Sequence, residues 1–148
     1  MRTRLAAVLL ALTSAVCLAA AVHFVVGPTT LDAGTQLVVS GKLAGLGEGD
    51  VTILVTADGL ATVECTNPAG NVAPGQDTAV SAAGLQVYPS PKNGTLTFSI
   101  STLAPSIAAS ACVANSGKQW SAAALDVAFS GGLITVLQGG VVVLQQAL

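Results

Sequence analysis

The chain has 148 residues, of which 52% are hydrophobic, 8% charged and 3% aromatic, against a typical charged share of about 25%. That length fits one domain. With five basic residues against seven acidic ones, no basic surface is available to neutralise a phosphate backbone, so nucleic-acid binding is excluded.

In chain order, Arg2 and Arg4 precede a nearly unbroken apolar run over residues 5–18, and Ala19-Ala20-Ala21 follows. This is the anatomy of a secretory signal peptide, predicted to span residues 1–21 with Val22 as the first mature residue. The apolar run is shorter than the roughly 20 residues of a membrane span, so no span is expected after cleavage. A lipid anchor at Cys17 would want a leucine-like residue three positions earlier and a small one just before it. Ser14 and Val16 stand there, so Cys17 is expected to leave with the leader. The mature chain, residues 22–148, then keeps Lys42, Lys92 and Lys118 against Asp32, Glu48, Asp50, Asp58, Glu64, Asp77 and Asp126, a net of −4 with His23 neutral.

The mature sequence has the period of strands. Residues 35–42 (TQLVVSGK), 50–57 (DVTILVTA), 60–66 (LATVECT), 95–102 (TLTFSIST), 125–130 (LDVAFS) and 133–138 (LITVLQ) alternate branched apolar side chains with Thr or Ser. Residues 22–26, 84–88 (GLQVY) and 141–145 add shorter candidates. Such runs, bounded by Gly, Pro, Asn and Asp, read as β-strands. Asp58-Gly59 and Gly139-Gly140 each carry a tight-hairpin signal; Asn93-Gly94, Gly131-Gly132 and residues 43–49 are further punctuation. Residues 106–114 and 121–124 are Ala-rich and admit a helical turn. Eight or nine short strands predict a single all-β domain, an antiparallel β-sandwich of immunoglobulin-like architecture. Trp120 follows both mature cysteines, so the Cys–Trp–Cys order of true immunoglobulin domains is absent. Val141-Val142-Val143-Leu144 is too apolar for an exposed edge and is expected to be buried or paired with another chain.

Cys65 and Cys112 are the cysteines of the mature chain. In an exported protein they are expected to form one structural disulfide. It would close a loop of roughly 50 residues and stabilise the fold by about 4 kcal/mol in the loop-entropy model.

Little in the sequence points to catalysis. His23 is the sole histidine and lies beside the cleavage site, so neither a nucleophile–base pair nor a zinc site can be assembled around it. Paired carboxylates would be the remaining route, a cryptic carbohydrate-active enzyme. Asp58 reads as a turn residue, however, and Phe24, Tyr88, Phe98, Trp120 and Phe129 are few as sugar platforms, with Phe98 and Phe129 expected in the core. The chain is therefore read as not an enzyme, with no cofactor and no metal. The polar stretch CTNPAGNVAPGQD, residues 65–77, is the candidate binding loop, with Asn67, Asn71, Gln76 and Asp77 as its side chains. These oxygens would suit calcium in type, but their spacing is not that of an EF-hand, and Asx-turns at Asn67 and Asn71 account for the same residues. Asn93-Gly94-Thr95 fits an N-glycosylation acceptor.

The blocks GKLAGLGEGDVTILVTADG (41–59), CTNPAGNVAPGQ (65–76), KNGTLTFSIST (92–102) and ITVLQGGVVVLQQ (134–146) together resemble a group of small secreted, mostly uncharacterised β-rich proteins of high-GC Gram-positive bacteria. The Cys-Thr-Asn-Pro…Pro-Gly-Gln run is the most specific part. Relatives often place Cys, Pro and Asn just before the Trp; Cys112-Val113-Ala114-Asn115, four residues short of Trp120, is a looser match. The resemblance implies export and a single β-rich domain, and carries no activity. The expectation is a secreted, extracellular or cell-surface protein that binds an unknown extracellular protein or glycan through its surface or loops. Self-association as a structural protein of the cell surface is the alternative, because TLTFSIST and ITVLQGGVVVLQQAL favour strand pairing.

Overall fold

The computed structural model describes residues 21–112 and 119–148. The predicted signal peptide, with Cys17, lies outside them except for Ala21, as do the last two residues of the helical turn predicted over 106–114. Eight strands follow in order: β1 (His23–Asp32), β2 (Leu37–Ala44), β3 (Val51–Thr66), β4 (Val72–Pro74), β5 (Thr78–Tyr88), β6 (Leu96–Ser101), β7 (Ser121–Gln138) and β8 (Val141–Ala147), with one 3₁₀ turn at Ala109–Ala111. All pairings are antiparallel. One sheet runs β1-β2-β6; in the other, β3 pairs with β7 on one side and with β4 and β5 on the other, and β8 borders β7. The predicted all-β sandwich is the observed fold. Among the described residues no helix is long and apolar enough to cross a membrane.

Two readings of turns are corrected. Asp58-Gly59 is not a hairpin, because β3 runs through it as one 16-residue strand. Gly131-Gly132 likewise lies inside the 18-residue β7. Both sites are places of close approach: a Cβ on Gly59 would lie 2.7 Å from Ala128 O, and one on Gly132 2.7 Å from Thr56 O. Ala57 pairs with Gly132 and Asp58 with Gly131, and the ladder shifts register between Asp58 and Gly59, so the two glycine sites form one bulged crossing of long strands. Gly139-Gly140 is the true hairpin, with φ of 56° and 82°, both positive as the favoured two-residue turn requires. Residues 121–124 are extended, opening β7, rather than helical; the strand partner supplied by β3 overrides their alanine content.

The core follows from strand length. At about 3.3 Å per residue, β3 is roughly 50 Å long and the six-residue β6 roughly 20 Å. The small sheet can therefore cover only half of the large one. Over that half, Leu37, Val39 and Leu43 of β2 with Phe98 and Ile100 of β6 pack on Val51, Ile53, Val55, Ile134 and Val136. Over the other half, Ala61, Val63, Cys65 and Val127 are covered by Ala111 and Cys112, with Ile107 and Trp120 packed alongside. Phe129 touches both clusters. The Cys65–Cys112 disulfide, with an S–S distance of 2.00 Å, pins that irregular cover to β3.

Candidate functional site

The loop singled out by its polarity proves to be a hairpin that satisfies itself. The Asn67 carboxamide oxygen accepts from Ala69 N at 2.9 Å and from Asn71 N at 2.8 Å, and Asn67 N donates to Asn71 O at 3.0 Å. Of the two expected Asx-turns this is the one at Asn67, and it commits that residue's carboxamide oxygen. The chain then returns as β4, pairing Ala73 with Cys65. Gly75 N donates to Val63 O at 2.8 Å, and Gln76 N to Ala111 O at 2.9 Å. A Cβ on Gly75 would lie 2.7 Å from Val63 and 2.9 Å from Cys65 Sγ, so glycine lets the loop sit on the disulfide. Asn71, Gln76 and Asp77 are exposed, on a corner built to hold the staple in place. Among the described residues no three His, Cys, Asp or Glu side chains gather as a metal site.

Other predicted residues are scattered. His23 is exposed and its Nδ1 lies 2.8 Å from Ala21 O. Asn93 stands exposed in the turn before β6. Asp58, expected in a turn, lies on the outward side of β3, where it accepts a hydrogen bond from Ser81 Oγ. Phe98 is buried as expected. Burial raises the Tyr88 phenol above its ordinary pKa; its hydroxyl reaches Ser99 O only at 3.5 Å.

What the sequence did not single out is the outer face of the five-stranded sheet. Val51, Ile53, Val55 and Ala57 point inward and are buried, so Thr52, Leu54, Thr56 and Asp58 face outward. Directly paired residues share a face, and the register therefore builds rows across the sheet. Val87, Thr52, Leu137 and Val142 form one; Leu85, Leu54, Thr135 and Gln145 form the next; Ala83, Thr56 and Leu133 form a third. Leu85 is 63% exposed and Val142 52%. The neighbours are bulky enough to bury Thr135 on this outward side, where its hydroxyl takes a hydrogen bond from Gln145 Nε2 at 3.0 Å. These three rows contain no charged residue. A groove of about 340 Å³ between Leu54, Leu85 and Leu103 continues the surface over the β5 border.

No protein-family model matches the chain, and no curated protein or solved structure shows similarity to it.

Proposed function

We propose that the chain is an exported, non-enzymatic binding protein, a member of the small secreted β-rich proteins it resembles, that acts at or outside the cell envelope. The observation that carries this reading is the uncharged outer face around Leu54, Leu85, Leu133 and Val142. Exposed leucine and valine clustered on an uncharged surface cost free energy in contact with water, and in soluble domains such a cluster marks an interaction site. The disulfide supports export, since such bonds persist in oxidising compartments. The partner is an extracellular protein or glycan that meets the sheet with an apolar surface and no charge requirement. The hairpin over residues 67–77 serves as the corner that keeps the disulfide covered.

A binding screen of the purified chain against cell-wall glycans, chitin and secreted proteins tests this, run beside two variants. Leu85→Lys should abolish capture of the partner, while replacing residues 67–77 by a short Gly-Ser turn should reduce it little beyond the loss of stability. Capture that survives Leu85→Lys but vanishes with the loop would move the site to the hairpin.

A further inference from the structure

We propose that β8 is a self-pairing edge, through which two copies of the chain join antiparallel about a twofold axis so that their five-stranded sheets become one. This goes beyond the binding reading and does not rest on it. The sequence required residues 141–144 to be buried or to pair with another chain. The structure removes the first option for three of the four: Val141 is 67% exposed, Val142 52% and Val143 36%, while Leu144 packs against the core. β8 is hydrogen-bonded to β7 on one side, and among the described residues no backbone bond reaches its other side.

The remaining borders each carry a device against pairing. β1 is interrupted by Pro28, which offers no N–H, and by two register shifts. β4 is three residues long and ends in Pro74. The borders of β5 and β6 meet at Gly84, where a Cβ would collide with Ser101 O, and Leu103 N donates to Ala83 O at 2.9 Å. The half of β7 beyond β8 carries Asp126 and is met by the β1–β2 turn, where Val127 N donates to Gly34 O at 3.1 Å. β8 has seven residues, VVVLQQA, without charge, proline or glycine. Its one irregularity, at Val143, leaves residues 144–147 in regular pairing.

An open row of N–H and C=O groups specifies an extended strand as the occupant. A different protein would be selected by charge, and β8 carries none; the cavity that Val143 lines with Val22, Leu46, Gly47 and Gln138 lies at the hairpin end of the strand, outside the regular pairing of residues 144–147. A second β8 meets it with no like charges opposed in any register. The twofold arrangement keeps outward residues outward, so the row of Val87, Thr52, Leu137 and Val142 runs on into its copy. A seven-residue strand is well short of the roughly 20–30 residues a side of a standard interface, so the dimer is expected to be weak, with a dissociation constant in the micromolar range.

Sedimentation velocity of the purified chain from about 1 to about 300 µM covers that range. The expected result is a reversible monomer–dimer equilibrium. Val143→Lys should weaken association by at least about tenfold, since charge on an edge opposes pairing, while Val25→Lys on the β1 border should leave it unchanged. If Val143→Lys fails to fold, hydrogen exchange on the unaltered chain decides: β8 amides should gain protection with concentration, and amides of β1 should not. A monomer at every concentration, association indifferent to Val143→Lys, exchange in β8 indifferent to concentration, or open-ended thioflavin-positive fibres in place of a closed dimer would each overturn the proposal.

Discussion

Removing the disulfide by the double substitution Cys65→Ala/Cys112→Ala should do more than lower overall stability; it should uncouple half of the molecule. The cysteines are 47 residues apart in sequence, and the loop-entropy model assigns such a closure about 4 kcal/mol. Domains of this kind have net stabilities of about 5–15 kcal/mol, so the variant should fold but only marginally. With an m-value of about 2 kcal/mol per molar, the urea midpoint should fall by about 2 M. The geometry adds a second signature. The small sheet does not reach Ala61, Val63 and Val127; the segment tied down at Cys112 covers them. Trp120, the sole tryptophan, packs in that cluster. Its fluorescence should therefore change at lower urea than the far-ultraviolet circular dichroism in the variant, while the two transitions coincide in the disulfide-bonded chain. A loss below about 1 kcal/mol, or coincident transitions in the variant, would refute the view that the disulfide holds a cover over the long strands.

Three further outcomes are expected. Ile53→Ala empties a fully buried position between the sheets and should cost about 2–5 kcal/mol in urea unfolding. Thr102 is fully buried, and its hydroxyl accepts from Leu37 N at 3.0 Å. Thr102→Val should therefore cost about 1–3 kcal/mol by orphaning that N–H, whereas Thr102→Ser should keep most of the stability. Tyr88 gives a pH dependence with a definite sign. Desolvation by burial raises its folded pKa above the ordinary value of 10.0, so its contribution is full below the unfolded pKa and is lost as pH rises through the folded one. Thermal melts should thus show a decline above about pH 10 that is reduced in Tyr88→Phe; an unchanged decline would assign it to other groups.

The fold was legible wherever side-chain alternation and tertiary partner agreed. Val39, Leu43, Phe98 and Ile100 alternate cleanly with Ser, Thr and Lys, and the predicted strands at 35–42 and 95–102 match β2 and β6 to within two residues at each end. The disulfide followed from the expected export and from the two cysteines that lie beyond the predicted signal peptide. The glycine pairs were ambiguous for a physical reason. Turn chemistry is local, and Asp58-Gly59, Gly131-Gly132 and Gly139-Gly140 look alike in sequence. What separates them is pairing: Asp58 stands opposite Gly131, so each site uses glycine to admit the other strand's backbone. Gly139 and Gly140 have no such neighbour and use their freedom to reverse the chain.

The candidate site was hidden by the same alternation that disclosed the strands. Residues 50–57 offer apolar side chains on both alternating faces, Leu54 on one and Val51, Ile53 and Val55 on the other. The buried positions of β3 are Val51, Ile53, Val55 and Ala57, which puts Leu54 on the outside between Leu85 and Thr135. β3 has strand partners on both sides, and of its two faces the one carrying Val51, Ile53 and Val55 meets the second sheet. The loop at 67–77 drew attention because polar side chains are conspicuous in so apolar a chain, yet the Asn67 side chain bonds the loop's own backbone and the backbone of Gly75 bonds β3. The uncharged surface was inconspicuous because it is assembled from three separate stretches of the sequence, residues 52–56, 83–87 and 133–145. Its outermost row ends at Val142 on the open border of β8, so a charge placed on that strand would alter the apolar face and the self-pairing edge together, whereas one at Leu85 would alter the face alone. Comparing Val142→Lys with Leu85→Lys in the binding screen and in the centrifuge therefore separates the two surfaces. If Leu85→Lys dissociates the dimer as fully as Val142→Lys does, association runs through the face of the sheet and not through its edge.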